Sequence, residues 1–186
     1  MPKIVDHQSR RTEIGLAVLD VVASDGLENL TVRKIATASG WSTGVLAHYA
    51  RDKDEMIALA IEAMAERFVG RLQAIDTHEP REVLRTLLRE LLPLDTERRT
   101  EALVWFRLAT YALNRESAPV IRRGHRELRR VTTNIVASLG VDRDPEEVST
   151  ELIALADGLA VHHLVDPRGM PRTRIAATLD ARIAEI

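Results

Sequence analysis

The stretch that most constrains this chain is Thr31 to Lys53, TVRKIATASGWSTGVLAHYARDK, which reads as two short helices joined by a tight turn. Ala36 is small enough to let two helices cross closely, and Gly40, four residues on, can take the positive-φ conformation that ends the first of them. Ile35, Val45 and Leu46 fall where they would hold one helix across the other. Thr31 and Ser42 stand as caps before the two helices. The second helix then presents Thr43, Gly44, Ala47 and His48 outward, short side chains of the kind that fit a DNA major groove. The same spacing also suits an ordinary helical hairpin in an all-α domain.

Charge alone does not point to nucleic acid. The 186 residues carry a net charge of −2, with +1 on residues 1–53 and −3 on residues 54–186. At 45% hydrophobic and 29% charged residues the chain is a globular protein of one or two domains. It has no cysteine, which excludes disulfides, thiolate metal sites and a cysteine nucleophile. No apolar run approaches the roughly 18–20 residues of a membrane span. The start, MPKIVDHQSRR, lacks the apolar core of a signal peptide. The expectation is therefore a cytoplasmic protein without a membrane partner.

The remaining pattern is helical throughout. Residues 1–8 read as an arm, and Ile14, Ala17, Val18, Val21 and Val22 mark a first helix from Ser9 to Asp25. The third helix is predicted to end near Ala50. Asp52 and Glu55 resemble a capping box that opens a long fourth helix, with Ile57, Ile61, Met64, Phe68, Leu72 and Ile75 as its apolar stripe. Pro80 suits the first turn of a fifth helix, through about Leu92. A sixth runs from about Glu97 to Asn114 with Ala102, Trp105, Phe106, Ala109 and Leu113 inward, and a seventh from Ser117-Ala118-Pro119 to Leu139. Asp144-Pro145-Glu146-Glu147 starts an eighth, to about Val165, and a ninth fills the end. With no sustained alternating pattern, the fold class is all-α with nine helices, divided near Lys53 into domains 1–53 and 54–186.

In the second domain, Met64, Arg67, Phe68, Trp105, Phe106, Arg107 and Tyr111 are candidates to line a small-molecule pocket, with core packing as the plainer reading. Arg107, beside Trp105 and Phe106, requires either a carboxylate partner or an anionic ligand. Arg122, Arg123, Arg126, Arg129 and Arg130 lie opposite Ile121, Leu128, Val131, Ile135 and Leu139, as on the solvent side of an amphipathic helix. His162 and His163 are adjacent, diverge by about 100° on a helix and cannot chelate one metal together. Leu152, Leu155, Leu159 and His162, with Leu179 and Ile183, offer more apolar surface than one domain face requires and point to a dimer interface near Gly158. No nucleophile–base set, phosphate loop, metal motif or cofactor site is identifiable, so a helical enzyme is disfavoured.

The three short amino-terminal helices, the pattern IA..SG.STG.L.HY and the RDKDEM entry into a long helix together resemble the TetR family of transcriptional regulators. The run STGVLAHYARDK resembles the branch that contains the betaine-pathway repressors. This resemblance implies a homodimer on a double-stranded palindromic operator, released by a small-molecule effector. It implies that Thr31, Arg33, Tyr49 and Lys53 approach phosphates and that Ser42, Thr43 and Gly44, then Ala47 and His48, approach base edges. Arg10 and Arg11 would serve the backbone or the adjacent minor groove, or simply form a solvated helix start. The chain departs from the family pattern at Trp41, Ala47 and Ala50, and Trp41 is expected to fill the volume that Ala50 vacates. The alternative function is a helical interaction module without DNA readout.

Overall fold

The fold is that of a computed structural model that describes residues 7–74, 76–113 and 119–186, omitting the side chains of residues 112, 113 and 120. Its elements, among the described residues, are nine α-helices and no strand. They are α1 (His7–Asp25), α2 (Val32–Ser39), α3 (Thr43–Leu46), α4 (Lys53–Gln73), α5 (Pro80–Arg89), α6 (Thr96–Leu113), α7 (Pro119–Ser138), α8 (Pro145–Val165) and α9 (Arg172–Ala184). Two compact units result: the chain up to Val69 with Val104–Ile121, and Gly70–Leu103 with Arg122–Ile186. Packing thus divides the chain differently from the boundary read near Lys53.

In the first unit, α1 buries Ile14, Val18, Leu19 and Val22 against Ile35 of α2, Leu46 of α3 and Met56, Ile57, Leu59, Ala60 and Ala63 of α4. Each fully buried large aliphatic contributes about 1.5–3 kcal/mol. Helices as short as α2 and α3 therefore stand by tertiary packing, because segments of this length are unstable alone. The fourth-helix stripe read from the sequence is only partly right. Ile57 is buried, whereas Ile61, Met64, Phe68 and Leu72 are half-buried, and Ile75 lies outside the described residues. The buried face is one step round because α1 and α4 meet through small residues. A Cβ on Gly15 would sit 2.3 Å from the Leu59 carbonyl oxygen and 2.9 Å from the Ala63 Cβ.

A polar strap runs beside that contact. Gln8 and Thr12 donate to Glu66 at 2.5 and 2.7 Å, and Arg11 pairs with Glu62 at 2.6 Å. Helix α1 already starts at His7, so the arm expected over residues 1–8 ends at least two residues earlier, and residues 1–6 lie outside the described residues. At the head of α4, Asp52 accepts from the Glu55 N–H at 2.9 Å, while Glu55 reaches back to the Arg51 N–H at 2.7 Å. The box therefore closes one residue earlier than its usual form.

In the second unit, α8 packs on α9 and α5. Leu84, Leu88 and Leu92 are buried in this unit, as are Val148, Leu152, Ala156 and Leu159 of α8 and Ile175, Leu179 and Ile183 of α9. On α6, the buried positions are Glu101, Ala102, Val104 and Leu108; Trp105, Phe106 and Ala109 are half-buried, and the Leu113 side chain is outside the description. On α7, Thr132 and Val136 are buried where Leu128, Val131 and Ile135 are expected, and the Thr132 hydroxyl is satisfied by donating to the Leu128 carbonyl at 2.9 Å. Helix α8 is long and apolar enough, by length and composition, to cross a membrane. Eight of its residues are nonetheless buried within this unit, which accounts for its apolarity.

In this unit the shielded carboxylates of Glu90 and Glu101 are paired with arginines. Arg71 donates to Glu90 and, at 2.6 Å, to Glu101, while Arg98 pairs with Glu90 at 2.9 Å. Burial works against the Arg71 charge, and the hydrogen bonds it donates to Glu101 and Glu90 outweigh it, raising its pKa. On the surface, Glu151 accepts from Arg143 and, at 3.1 Å, from Arg182. Those bonds, Arg143 first, hold the Glu151 carboxyl at about 2 instead of 4.5. A depressed folded pKa adds stability that is present above 4.5 and lost as pH falls towards 2. Glu151→Gln should therefore flatten the pH dependence of the melting temperature over that window; an unaltered acid slope would contradict the assignment.

Candidate nucleic-acid interface

The reading segment is built by caps. Thr31 Oγ1 accepts from the Lys34 N–H at 3.3 Å and starts α2. Gly40, at φ 73°, ends it in the left-handed conformation that L side chains avoid. Ser42 Oγ accepts from the Val45 N–H at 3.3 Å and starts α3. The α-helix closes at Leu46 instead of reaching Ala50. His48 and Tyr49 donate to Val45 and Leu46, three residues back, so the last turn tightens. Thr43, Gly44, Ala47 and His48 are exposed along this segment, while Leu46 and Ala50 are buried and Val45 half-buried beneath it.

The flanking basic groups are placed unevenly. Arg33 is exposed and makes no ion pair among the described residues, whereas its neighbour Lys34 is paired with Asp25 at 2.5 Å. The Tyr49 hydroxyl lies 3.1 Å from Nδ1 of His7. Lys53 places its ammonium 5.9 Å from the centroid of the Tyr111 ring, and the Tyr111 hydroxyl donates to Asp54 at 2.8 Å. Arg10 and Arg11 are neither a free pair nor a solvated helix start. Arg11 is bound to Glu62, and the Arg10 guanidinium stacks 4.7 Å from the centroid of Trp41.

Trp41 packs against the core to which Ala50 belongs, and its Nε1–H is buried without a hydrogen-bond partner among the described residues. An unsatisfied buried donor costs about 1–3 kcal/mol. Trp41→Phe should therefore melt within about 1 kcal/mol of the parent or above it, since it keeps the ring and removes the orphan donor. Trp41→Val discards the ring and should lose about 2 kcal/mol or more. Equal melting temperatures for the Val variant and the parent would show that Trp41 fills no needed volume.

All seven candidate pocket residues are half-buried. Met64, Trp105 and Tyr111 pack at the margin of the first unit's core, and Arg67, Phe68 and Phe106 are half-buried. Arg107 donates to the Val22 carbonyl in the last turn of α1 and makes no ion pair among the described residues. A cation there offsets the negative end of the helix dipole. Arg122, Arg123, Arg126 and Arg130 are exposed, as their helical projection implies, whereas Arg129 is half-buried.

The dimer residues need the clearest correction. Leu152, Leu179 and Ile183 are at most 1% exposed and Leu159 is 6% exposed within a single chain, so they build the α8–α9 core and are not left for a partner. Leu155 remains half-buried and His162 exposed, beside Val161 and Val165. Gly15 and Val165 are two further positions that the structure brings into these contacts and faces. An uncapped glycine inside a strongly patterned helix was the signal for the first.

A capped helix-turn-helix with its small residues outward, followed by a separate set of long helices, defines a DNA-reading regulator. The profile described as "BetI-type transcriptional repressor, C-terminal" matches residues 80–186. The chain is 31% identical to the HTH-type transcriptional regulator PksA of Bacillus subtilis, across 100% of this chain and 94% of that one. A transcriptional regulator from Rhodococcus sp. RHA1 superposes with a TM-score of 0.79 at 28% identity, over 95% of each chain. A transcriptional regulator from Saccharomonospora viridis, solved in complex with choline, gives a TM-score of 0.79 at 23% identity over 95% of this chain and 96% of that one. The chain belongs to the TetR family of transcriptional regulators, with a carboxy-terminal region of the BetI type. It is a regulator and not an enzyme.

Proposed function

We propose that the chain acts as a homodimer that occupies a palindromic operator and leaves it when a small molecule binds the helical region after Lys53. One observation carries this reading: the exposed run Thr43, Gly44, Ala47 and His48 on a segment capped by Ser42 and set by Gly40. In this reading residues 1–53 form the reading head and 54–186 the effector and dimerisation region. Ser42 adds its hydroxyl at the base edges, while Thr31, Arg33, Tyr49 and Lys53 address phosphates. Arg10 reaches the duplex only by leaving Trp41, and Arg11 by leaving Glu62. Helices α4, α6 and α7 each contribute residues to both compact units, which supports passage of an effector signal along them.

The partner surface we assign to α8 is Ala154, Leu155, Gly158, Val161, His162 and Val165, which recur at helical spacing. Val161 and Val165 are 41% and 80% exposed, and a Cβ on Gly158 would meet nothing within 4 Å. Space left by a glycine on an apolar face favours close approach of a twofold-related helix. The choline of the S. viridis regulator is not carried over. Trp105 and Tyr111 are taken up in packing and by Asp54 here, and a quaternary ammonium cage needs several convergent rings.

Selection of bound sequences from random DNA tests the reading. A palindrome should emerge, and absence of any enriched sequence would end the proposal. On the selected site, Arg33→Gln should weaken binding alike for matched and mismatched sequences. Because both subunits lose one phosphate contact, the slope of log affinity against log salt should fall by about 2. A change in sequence preference instead would move Arg33 from the phosphates to the bases.

A further inference from the structure

We propose that Tyr111 of α6 is a positioning residue for operator binding, its ring holding the Lys53 ammonium in place for a phosphate. The inference rests on the phosphate role given to Lys53 above and deepens it, because a residue outside the reading segment then has a share in DNA affinity. Lys53 opens α4 and is half-buried, with its ammonium 5.9 Å from the centroid of the Tyr111 ring. Lys53 makes no ion pair among the described residues, and the three acids nearest it in sequence are engaged elsewhere. Asp52 accepts from the Glu55 N–H at 2.9 Å, Glu55 pairs with Arg51 at 2.6 Å, and Asp54 accepts from the Tyr111 hydroxyl at 2.8 Å. One tyrosine thus occupies the neighbouring carboxylate with its hydroxyl and receives the cation on its ring.

The ring is itself fixed by the fold. Val104, Leu108 and Tyr111 share one face of α6; the first two are fully buried in the first unit's core, and Tyr111 packs at its margin. Arg107, one turn before Tyr111, ties the same helix to the last turn of α1 through the Val22 carbonyl. An aromatic face attracts an ammonium without cancelling its charge, and the ammonium carries three donors, so N–H groups remain for a phosphate oxygen. A carboxylate in the same place would hold the side chain but offset the charge. Lysine is rotamer-rich, and restraining it before the duplex arrives removes an ordering cost from binding.

The test is a double-mutant cycle on the selected operator, with affinity read at several salt concentrations. Lys53→Gln should weaken binding and lower the slope of log affinity against log salt by about 2, one contact per subunit. An unchanged slope would remove Lys53 from the phosphates, and with it the reading on which this inference rests. Tyr111→Leu should weaken binding about tenfold in the parent background and by no more than about twofold in the Lys53→Gln background. Tyr111→Phe keeps the ring and should stay within about threefold of the parent. A merely structural role would cost the same affinity in both backgrounds. Equal losses with and without Lys53, full affinity in Tyr111→Leu, or a loss in Tyr111→Phe as large as in Tyr111→Leu would overturn the proposal and leave the phosphate role of Lys53 standing. Circular dichroism checks folding, and Tyr111→Met replaces Tyr111→Leu in the cycle if the leucine variant does not fold.

Discussion

Leu155→Glu combined with Val161→Glu should turn the proposed homodimer into a folded monomer and reduce operator affinity by about 10²–10⁴-fold. The magnitude follows from linkage. Two reading heads joined in one particle bind the second half-site at a high effective concentration, and separating them forfeits that gain without altering any DNA contact. Both substitutions fall on the face left open by a single chain: Leu155 is half-buried and Val161 is 41% exposed. The new carboxylates would therefore be hydrated in the monomer but desolvated and mutually repelled across a twofold interface. The core residues Leu152 and Leu159 are unsuitable for this experiment, because each is already buried inside the chain and a charge there would unfold it. Sedimentation and circular dichroism separate the outcomes. A dimer that survives with full operator affinity would remove α8 as the interface, and a monomer that retains full affinity would remove the need for two heads.

The reading segment was legible in the sequence because its determinants are local. A cap at Thr31, a left-handed Gly40 and a second cap at Ser42 act within four residues of where they stand, and each performs in the structure the role its chemistry dictates. Helix order was legible for the same reason, since Pro80 and Pro145 mark first turns. What was not legible is which apolar stripe meets which neighbour. A helix such as α8 carries apolar residues on more than one face, and periodicity alone does not say whether Leu152 or Leu155 turns inward. Arg10, Arg11 and Arg107 show the second limit. Their partners Trp41, Glu62 and Val22 are remote in sequence, so charge patterning could not pair them.

Gly15→Ala should destabilise the protein by about 2 kcal/mol, although alanine is the better helix former by about 1 kcal/mol. The cause is a backbone collision. The added Cβ would lie 2.3 Å from the Leu59 carbonyl oxygen, an atom fixed in the α4 hydrogen-bond ladder that cannot rotate away, and 2.9 Å from the Ala63 Cβ. Relief requires α1 to lift from α4, which strains the strap of Gln8, Arg11 and Thr12 on Glu62 and Glu66. Because α1 also carries Ile14 and Val18 into the core beneath α2 and α3, lifting it displaces the floor of the reading segment. Operator affinity should fall with stability. Gly70→Ala supplies the opposite sign: Gly70 lies inside α4 with nothing within 4 Å of a built Cβ, so alanine should add about 0.5–1 kcal/mol. At about 2–4 °C per kcal/mol for a chain of this size, the first variant should melt roughly 4–8 °C below the parent and the second above it. Equal melting temperatures for the two variants would mean that α1 and α4 do not meet at Gly15, and that the polar strap alone holds the reading head to the long helix.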